Sequence, residues 1–491
     1  MRKRYFTYKN IDILGEEIEE LGLNIRFETE IKALRQPIKI GNFVAGNRLG
    51  IHPMEGCDGT LDGKPDELTY RRWVRFGRGG CKLIWGEATA VLEEGRANGR
   101  QLLINEANAK DLEDILAKTR EAHREECGTD GDVVCGLQLT HSGRFSYKKP
   151  FIAFRHPVLD KTTYIDKKNH IPIPDDYPLV SDEYLERLED VYVEAAKIAC
   201  KIGFDFIDLK QCHTYLLSEL LAAKTRDGKY GGSFENRTRF LKNIIGKIRD
   251  AVGAKMLIAT RINVYDGLPY QKDPKTLLGV PRPYPVPYPY AFGVDEMNPL
   301  KVDLTEPIKL VGLLRDLGVK LVNISMGSPY FNPHIIRPFE KPPIDGYETP
   351  EHPLIGVNRH FQVTTEIQKT YPDMVIVGTG YSWLREYLLY AAEANVQDGN
   401  VSIAAVGRGA IAYPDYANEG LTQGKLDGRK VCLTVGYCTA LMRSKHNKLG
   451  QFPTGCVPRD RVYAEIYKDA EPGLKGESGK ARRRESETSE D

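Results

Sequence analysis

With 491 residues, 69 of them basic and 68 acidic, the chain carries a net charge of +1 and offers no field for nucleic acid or an anionic membrane. Its 41% apolar content supports a substantial core, yet no stretch approaches the roughly twenty apolar residues of a membrane span. Nine scattered cysteines, and basic N-terminal residues with no apolar run behind them, fit a cytoplasmic protein with reduced thiols and no secretory signal.

Residues 1–36 are a charged N-terminal extension in which Ile11, Ile13, Leu14, Ile18 and Leu21 are spaced as one face of a helix. Packing on the rest of the chain and a subunit contact in a homo-oligomer are both open for it. Eight short apolar runs follow: Leu49–Met54, Lys82–Ala88, Val133–Thr140, Phe204–Leu209, Met256–Ile262, Leu321–Met326, Met374–Gly378 and Val401–Val406. Amphipathic segments such as 183–202 and 304–318 lie between them. Such alternation predicts an α/β fold, a closed (β/α)8 TIM barrel within residues 37–470. An open doubly wound sheet would alternate too, but no G-x-G-x-x-G follows an early strand.

Two long strand-end insertions interrupt the rhythm, near 145–180 and 266–300. The second contains Pro281 to Tyr290, a Pro/Tyr alternation that precludes a helix and favours a stiff extended segment. Insertions after barrel strands commonly lie over the mouth, so this one is expected to be a lid or wall presenting tyrosine faces to substrate. A loop packed on a neighbouring subunit is the other reading. Residues 471–491 are charged and nearly free of large apolar groups, and are expected to form a disordered tail.

Chemistry concentrates after the fourth run, where Lys210, His213 and Tyr215 can each donate a proton or a hydrogen bond. Polar side chains at the C-terminal end of a strand are the material of a barrel active site. Lys210-Gln211-Cys212-His213-Thr214-Tyr215-Leu216-Leu217 is followed by Tyr230-Gly231-Gly232-Ser233-Phe234-Glu235-Asn236-Arg237-Thr238-Arg239-Phe240, in which Ser233 can cap a helix. This stretch resembles the Old Yellow Enzyme / NADH:flavin oxidoreductase family, including the barrel part of 2,4-dienoyl-CoA reductases, whose pattern reads HGAHGYLL and then YGGSxENRxRF. Gln36–Asn42 with Asn47-Arg48, Pro53-Met54, Gly86–Val91, Leu137–Arg144 and Val406-Gly407-Arg408 resemble further family motifs. The chain departs from the pattern at Lys210, where the family usually has histidine, and at Glu55.

The resemblance implies an FMN-dependent oxidoreductase of ene-reductase type that reduces the activated C=C of an α,β-unsaturated carbonyl compound, with NADH or NADPH as hydride donor. In that reading Lys210 and His213 bind the carbonyl oxygen and Tyr215 donates the proton. Gln138 and Arg261 meet the flavin's pyrimidine edge, while Pro53, Met54, Glu55 and Ala88 lie near its ring. Glycine-rich ends of the last two strands, Gly378-Thr379-Gly380 and Gly407 with Arg408, cradle its phosphate. Tyr265, Tyr330 and His334 are candidate substrate contacts, with packing within their loops as the favoured reading. The dienoyl-CoA reductase branch carries an iron–sulfur cluster, but Cys432, Cys438 and Cys456 are three thiols at another spacing, so no cluster and no metal are expected.

Two further functions compete. A flavin-dependent amine or alcohol dehydrogenase would use the same barrel, and Lys210 could form a Schiff base as in class I aldolases. A flavin-free binding barrel is disfavoured, since it has no need of Gln138, Arg261 and both glycine turns.

Overall fold

The computed structural model describes residues 5–343, 346–444 and 447–472; the expected tail at 471–491 lies almost wholly outside them. Eight strands form a closed parallel barrel: β1 (Leu49–Ile51), β2 (Leu83–Ala90), β3 (Val134–Thr140), β4 (Phe206–Leu209), β5 (Leu257–Asn263), β6 (Leu321–Ser325), β7 (Val375–Gly378) and β8 (Ile403–Val406). Each pairs with its neighbours in sequence, and β8 closes on β1 through Ala404 opposite Leu49. All eight predicted runs are strands of this (β/α)8 barrel.

Helices follow each strand: α1 (Glu67–Arg78), α2 (Ala109–Cys127), α3 (Asp182–Ile202), α4 (Arg239–Val252), α5 (Thr305–Asp316), α6 (Pro353–Thr370), α7 (Leu388–Gln397) and α8 (Tyr416–Gln423). Their ends are written in the sequence. Ser181 accepts a hydrogen bond from Tyr184 N to start α3, and Gly203, at φ 101°, ends it in the left-handed conformation that favours glycine. Among the described residues no helix is long and apolar enough to cross a membrane.

The barrel interior is packed near its N-terminal end by Leu83, Trp85, Val134, Phe206, Ala259, Leu321, Val377, Ile403 and Ala405. A hairpin of Ile38–Ile40 with Phe43–Ala45 joins that cluster, burying Ile40 and Ala45 in it. The barrel's polar residues are thereby left to the opposite end.

The N-terminal extension packs on the barrel's own outer layer. Its helix, Ile11–Glu20, buries Leu14 and Ile18. The Glu393 carboxylate of α7 accepts hydrogen bonds from the backbone N–H groups of Lys32, Ala33 and Leu34. Phe6 meets the Trp383 ring edge-on at 5.3 Å.

The Pro/Tyr insertion behaves differently from the expected wall. It is non-helical, with a short antiparallel pair, Tyr270–Lys272 and Gly279–Pro281. Its tyrosines, however, pack inward on the first insertion: Tyr288 is fully buried, its hydroxyl 3.1 Å from His156 Nε2, and the rings of Tyr284 and Tyr290 meet it edge-on. The expected stiff extended segment is not formed: strand pairing ends at Pro281 and the chain bends at Val286 and Pro287, while Tyr288 and Tyr290 find a partner in His156 of the first insertion, so the two insertions brace each other.

The inner packing leaves no room at Gly136 on β3, where an added Cβ would sit 2.2 Å from the Phe206 ring. Overpacking of this kind costs about 1–3 kcal/mol, so Gly136→Ala should lower the urea midpoint accordingly; an unchanged midpoint would contradict this packing.

Candidate functional site

Every strand end contributes to one cavity at the C-terminal mouth of the barrel. His52, Pro53, Met54 and Glu55 follow β1; Ala88, Gln138 and Arg261 stand on β2, β3 and β5; Lys210, His213 and Tyr215 follow β4. Tyr330 and Arg337 follow β6, Thr379 and Gly380 follow β7, and Gly407 and Arg408 follow β8. Residues as distant in sequence as His52 and Arg408 are thus gathered because a barrel delivers all its strand ends to one rim.

A buried carboxylate organises the floor. Asp208 on β4 accepts hydrogen bonds from Trp85 Nε1 at 2.7 Å, Gln138 Nε2 at 2.5 Å and the Arg261 backbone N–H at 2.7 Å. Burial pushes its carboxyl up to about 6, and these donors pull the other way. Gln138 therefore has its amide nitrogen committed to Asp208. A register shift between Gly86 and Ala88 on β2 turns Glu87 aside, where it accepts from Arg72, Trp73 and the Gly56 backbone and ties β2 to the loop after β1.

The site's unpaired polar atoms bear on what it holds. Arg261 Nε and His52 Nε2 line this cavity's residues yet are buried without a hydrogen-bond partner among the described residues. A buried donor left unmade costs about 1–3 kcal/mol, so such groups call for a partner that the chain does not supply, a water or a ligand. At Gly407 an added Cβ would meet Met54 Sδ at 2.6 Å, and Gly380 has a φ of 99°. Cation, amide and side-chain-free backbone are what a planar, polar-edged, phosphorylated cofactor requires, and the residues present fit FMN.

The chain between β4 and the short helix Leu216–Ala222 is contorted. His213 and Thr214 both have positive φ, 66° and 60°, a conformation that costs a β-branched threonine in particular. The turn seats His213 with Nε2 3.3 Å from Ser325 Oγ, and places Tyr215 at the helix start. Burial, helped by the charges of Arg261, Lys210 and Arg337, pushes His213 well below its usual range, so its imidazole is neutral. Tyr215 is 3% exposed, and its burial raises its pKa. Lys210 places its ammonium 3.6 Å over the Tyr215 ring, and burial lowers its pKa.

Of the predicted site residues, Tyr265 and Gly378 do not line the cavity. Tyr265 is buried with its hydroxyl donated to the carbonyls of Pro299 and Leu300, and Gly378 is the last residue of β7, one position short of the mouth. His334 is likewise turned away, onto the Tyr347 hydroxyl at 2.7 Å. The expected tyrosine wall from 266–300 is absent from the lining.

The segment after the barrel takes that place. Cys438, Thr439, Met442 and Thr454 line the cavity, and Thr454 N donates to Gly56 O at 2.6 Å. The segment is anchored by Ala440, Leu441, Phe452, Tyr463 and Ala470, which form a cluster of their own, and by Asp460, which pairs with Arg71 and Arg75 of α1. The spacing of Tyr463, Ile466, Tyr467 and Ala470 is the sequence signal for this docking. Cys432, Cys438 and Cys456 line one small neighbouring cavity with Arg408. Among the described residues no group of three or more His, Cys, Asp or Glu side chains is placed to hold a metal ion.

Glu55 lies in the lining, accepting from Asn98. Burial raises its carboxyl to about 7, against the pull of Lys210. The folded state thus holds a proton that an unfolded glutamate, near 4.5, has lost, and this site's share of stability falls as pH rises between those values. Glu55→Gln should flatten the decline of melting temperature between about pH 5 and 7; an unaltered slope would contradict this assignment.

The sequence model described as the NADH:flavin oxidoreductase / NADH oxidase family matches residues 33–275. An NADPH dehydrogenase of Bacillus cytotoxicus is 28% identical over 223 residues, 44% of this chain and 58% of that protein, so the match spans under two thirds of that relative. In structure, a 2-naphthoyl-CoA reductase in complex with 2-naphthoyl-CoA is similar with a TM-score of 0.60 at 19% identity, over 88% of this chain and 57% of that one. The Old Yellow Enzyme homologue from Zymomonas mobilis is similar with a TM-score of 0.55 at 20% identity, over 81% and 94%. At those identities the structural likeness is one of fold. Over residues 33–275, which hold the first five strands, the chain belongs by sequence to the NADH:flavin oxidoreductase / NADH oxidase family, and around the whole barrel it has the fold of the Old Yellow Enzyme homologue.

Proposed function

We propose that this chain is an FMN-dependent ene-reductase acting on α,β-unsaturated carbonyl compounds. The observation that carries the reading is the convergence of Lys210, His213 and Tyr215 from one strand end on the cavity that also holds Arg261, whose Nε has no partner among the described residues. Gln138 and Arg261 would hold the flavin's pyrimidine edge, Pro53, Met54 and Ala88 its ring, and Arg408 with the backbone at Thr379, Gly380 and Gly407 its phosphate. Bound FMN supplies the hydride, obtained from NADH or NADPH, for the β-carbon of the substrate.

The remaining work falls to the protein. Negative charge grows on the carbonyl oxygen as the β-carbon is reduced, and preorganised donors there lower the barrier. His213, held neutral, offers a hydrogen bond without giving up a proton; Lys210 offers a second donor with a longer reach than the family's histidine. Tyr215, kept protonated by burial, is the acid that protonates the α-carbon. Lys210 over its ring stabilises the phenolate left behind.

The cavity is lined by four cations, Lys210, Arg261, Arg337 and Arg408, against one carboxylate, Glu55. With Arg261 and Arg408 taken by the flavin, Lys210 and Arg337 against Glu55 still favour an acidic enone or an acyl thioester, in keeping with the CoA-ester ligand of the structurally similar reductase. A Schiff base at Lys210 would leave Arg261 Nε and His52 Nε2 without a use, so the flavin reading is preferred.

Arg261→Met should weaken FMN retention by roughly tenfold or more, since it removes a charged donor worth about 1.5–3 kcal/mol; equal retention on gel filtration would count against the placement. Tyr215→Phe should lower turnover of an enone about 10²–10⁴-fold with reduction by NADPH unchanged; wild-type turnover would remove Tyr215 from the mechanism.

A further inference from the structure

A proton donor buried in a cavity that its own substrate fills must be reloaded from somewhere. Tyr215 is 3% exposed, and once it gives up its proton it is a phenolate out of easy reach of water. Its hydroxyl lies 2.7 Å from that of Tyr330, and either oxygen can be the donor of that bond. Tyr330 stands on the loop after β6, lines the same cavity and is 39% exposed. A hydroxyl that both donates and accepts, bonded to a buried phenol and carried by a partly exposed residue at the cavity, is what a proton relay needs.

The pair is held in place by packing. The Phe145 ring stacks on Tyr330 with centroids 4.0 Å apart, and Tyr215 and Tyr330 are themselves near parallel, with ring planes 24° apart. Ser328 on the same loop donates to the backbone oxygen of His213, tying the Tyr330 loop to the turn that carries Tyr215. The two hydroxyls are thus fixed from both sides.

We propose that Tyr330 relays protons from solvent to Tyr215. The inference rests on Tyr215 being the acid of the proposed reaction. In each turnover the Tyr215 O–H bond breaks as the substrate's α-carbon–hydrogen bond forms. The Tyr330 O–H bond then breaks as that of Tyr215 is restored, and Tyr330 takes a proton from water at the mouth. Hydride and proton together complete the reduction, and both tyrosines end as they began.

The test uses the FMN-loaded enzyme with NADPH and 2-cyclohexen-1-one, comparing wild type, Tyr215→Phe and Tyr330→Phe. Tyr330→Phe keeps the stacked ring and loses the relay oxygen; it should lower kcat roughly tenfold or more while KM and the rate of reduction by NADPH stay put. Turnover in mixtures of light and heavy water should depend on deuterium content along a curve for wild type, since two protons move, and along a straight line for Tyr330→Phe. Should that variant fold poorly, Tyr330→Ala with imidazole in the buffer serves instead, and imidazole should restore turnover. Loss of turnover in Tyr215→Phe, with wild-type kcat and a curved dependence in Tyr330→Phe, would overturn the relay alone. Wild-type turnover in both variants, or no turnover of the enone by wild type, would overturn the reading on which the relay rests.

Discussion

The buried carboxylate of Asp208 is the constraint on which the mouth of this barrel depends. It stands on β4 and takes a hydrogen bond from each of β2, β3 and β5, so four adjacent strands are fixed at the level where their side chains turn from packing to chemistry. A charge in that position is tolerable because three donors meet it; removing one would leave buried polar atoms unpaired. Below it the barrel is filled with Trp85, Phe206 and aliphatic side chains. Above it stand Gln138, Arg261 and the contorted turn that carries Lys210, His213 and Tyr215.

Much of this was legible in the sequence because barrel strands leave short apolar runs at regular intervals, and because the chemistry of a barrel sits one or two residues past each run. That rule places Lys210, Thr379, Gly407 and Arg408, while Pro53, Met54, His213 and Tyr215 are singled out by the resemblance to the family's motifs. It fails where a side chain's direction depends on tertiary partners. Tyr265 follows β5 directly but turns to the carbonyls of Pro299 and Leu300, and the Pro/Tyr segment finds its partner in another insertion, His156, rather than at the mouth. The wall of the cavity instead comes from residues after the barrel, where attention to cysteine spacing hid an ordinary amphipathic docking pattern.

The motif that most resembles the family is not in the site. Tyr230 donates to Glu189 of α3, and Arg237 pairs with Glu306 of α5 while reaching the Leu221 carbonyl. These contacts lock the loop after β4 against three helices. Their effect on chemistry is indirect: the strained backbone at His213 and Thr214 persists because the segments on either side are held. The N-terminal extension acts in the same way, backing Trp383 of the cavity wall with Phe6.

The proposed function requires a flavin held by Gln138, Arg261, Arg408 and the glycine turns of β7 and β8. Its most direct test is the visible absorption spectrum of the purified full chain, followed by acid release of the chromophore and chromatography against FMN, FAD and riboflavin. The account predicts a yellow protein releasing FMN at close to one per chain. A colourless protein that also fails to take up added FMN would contradict it.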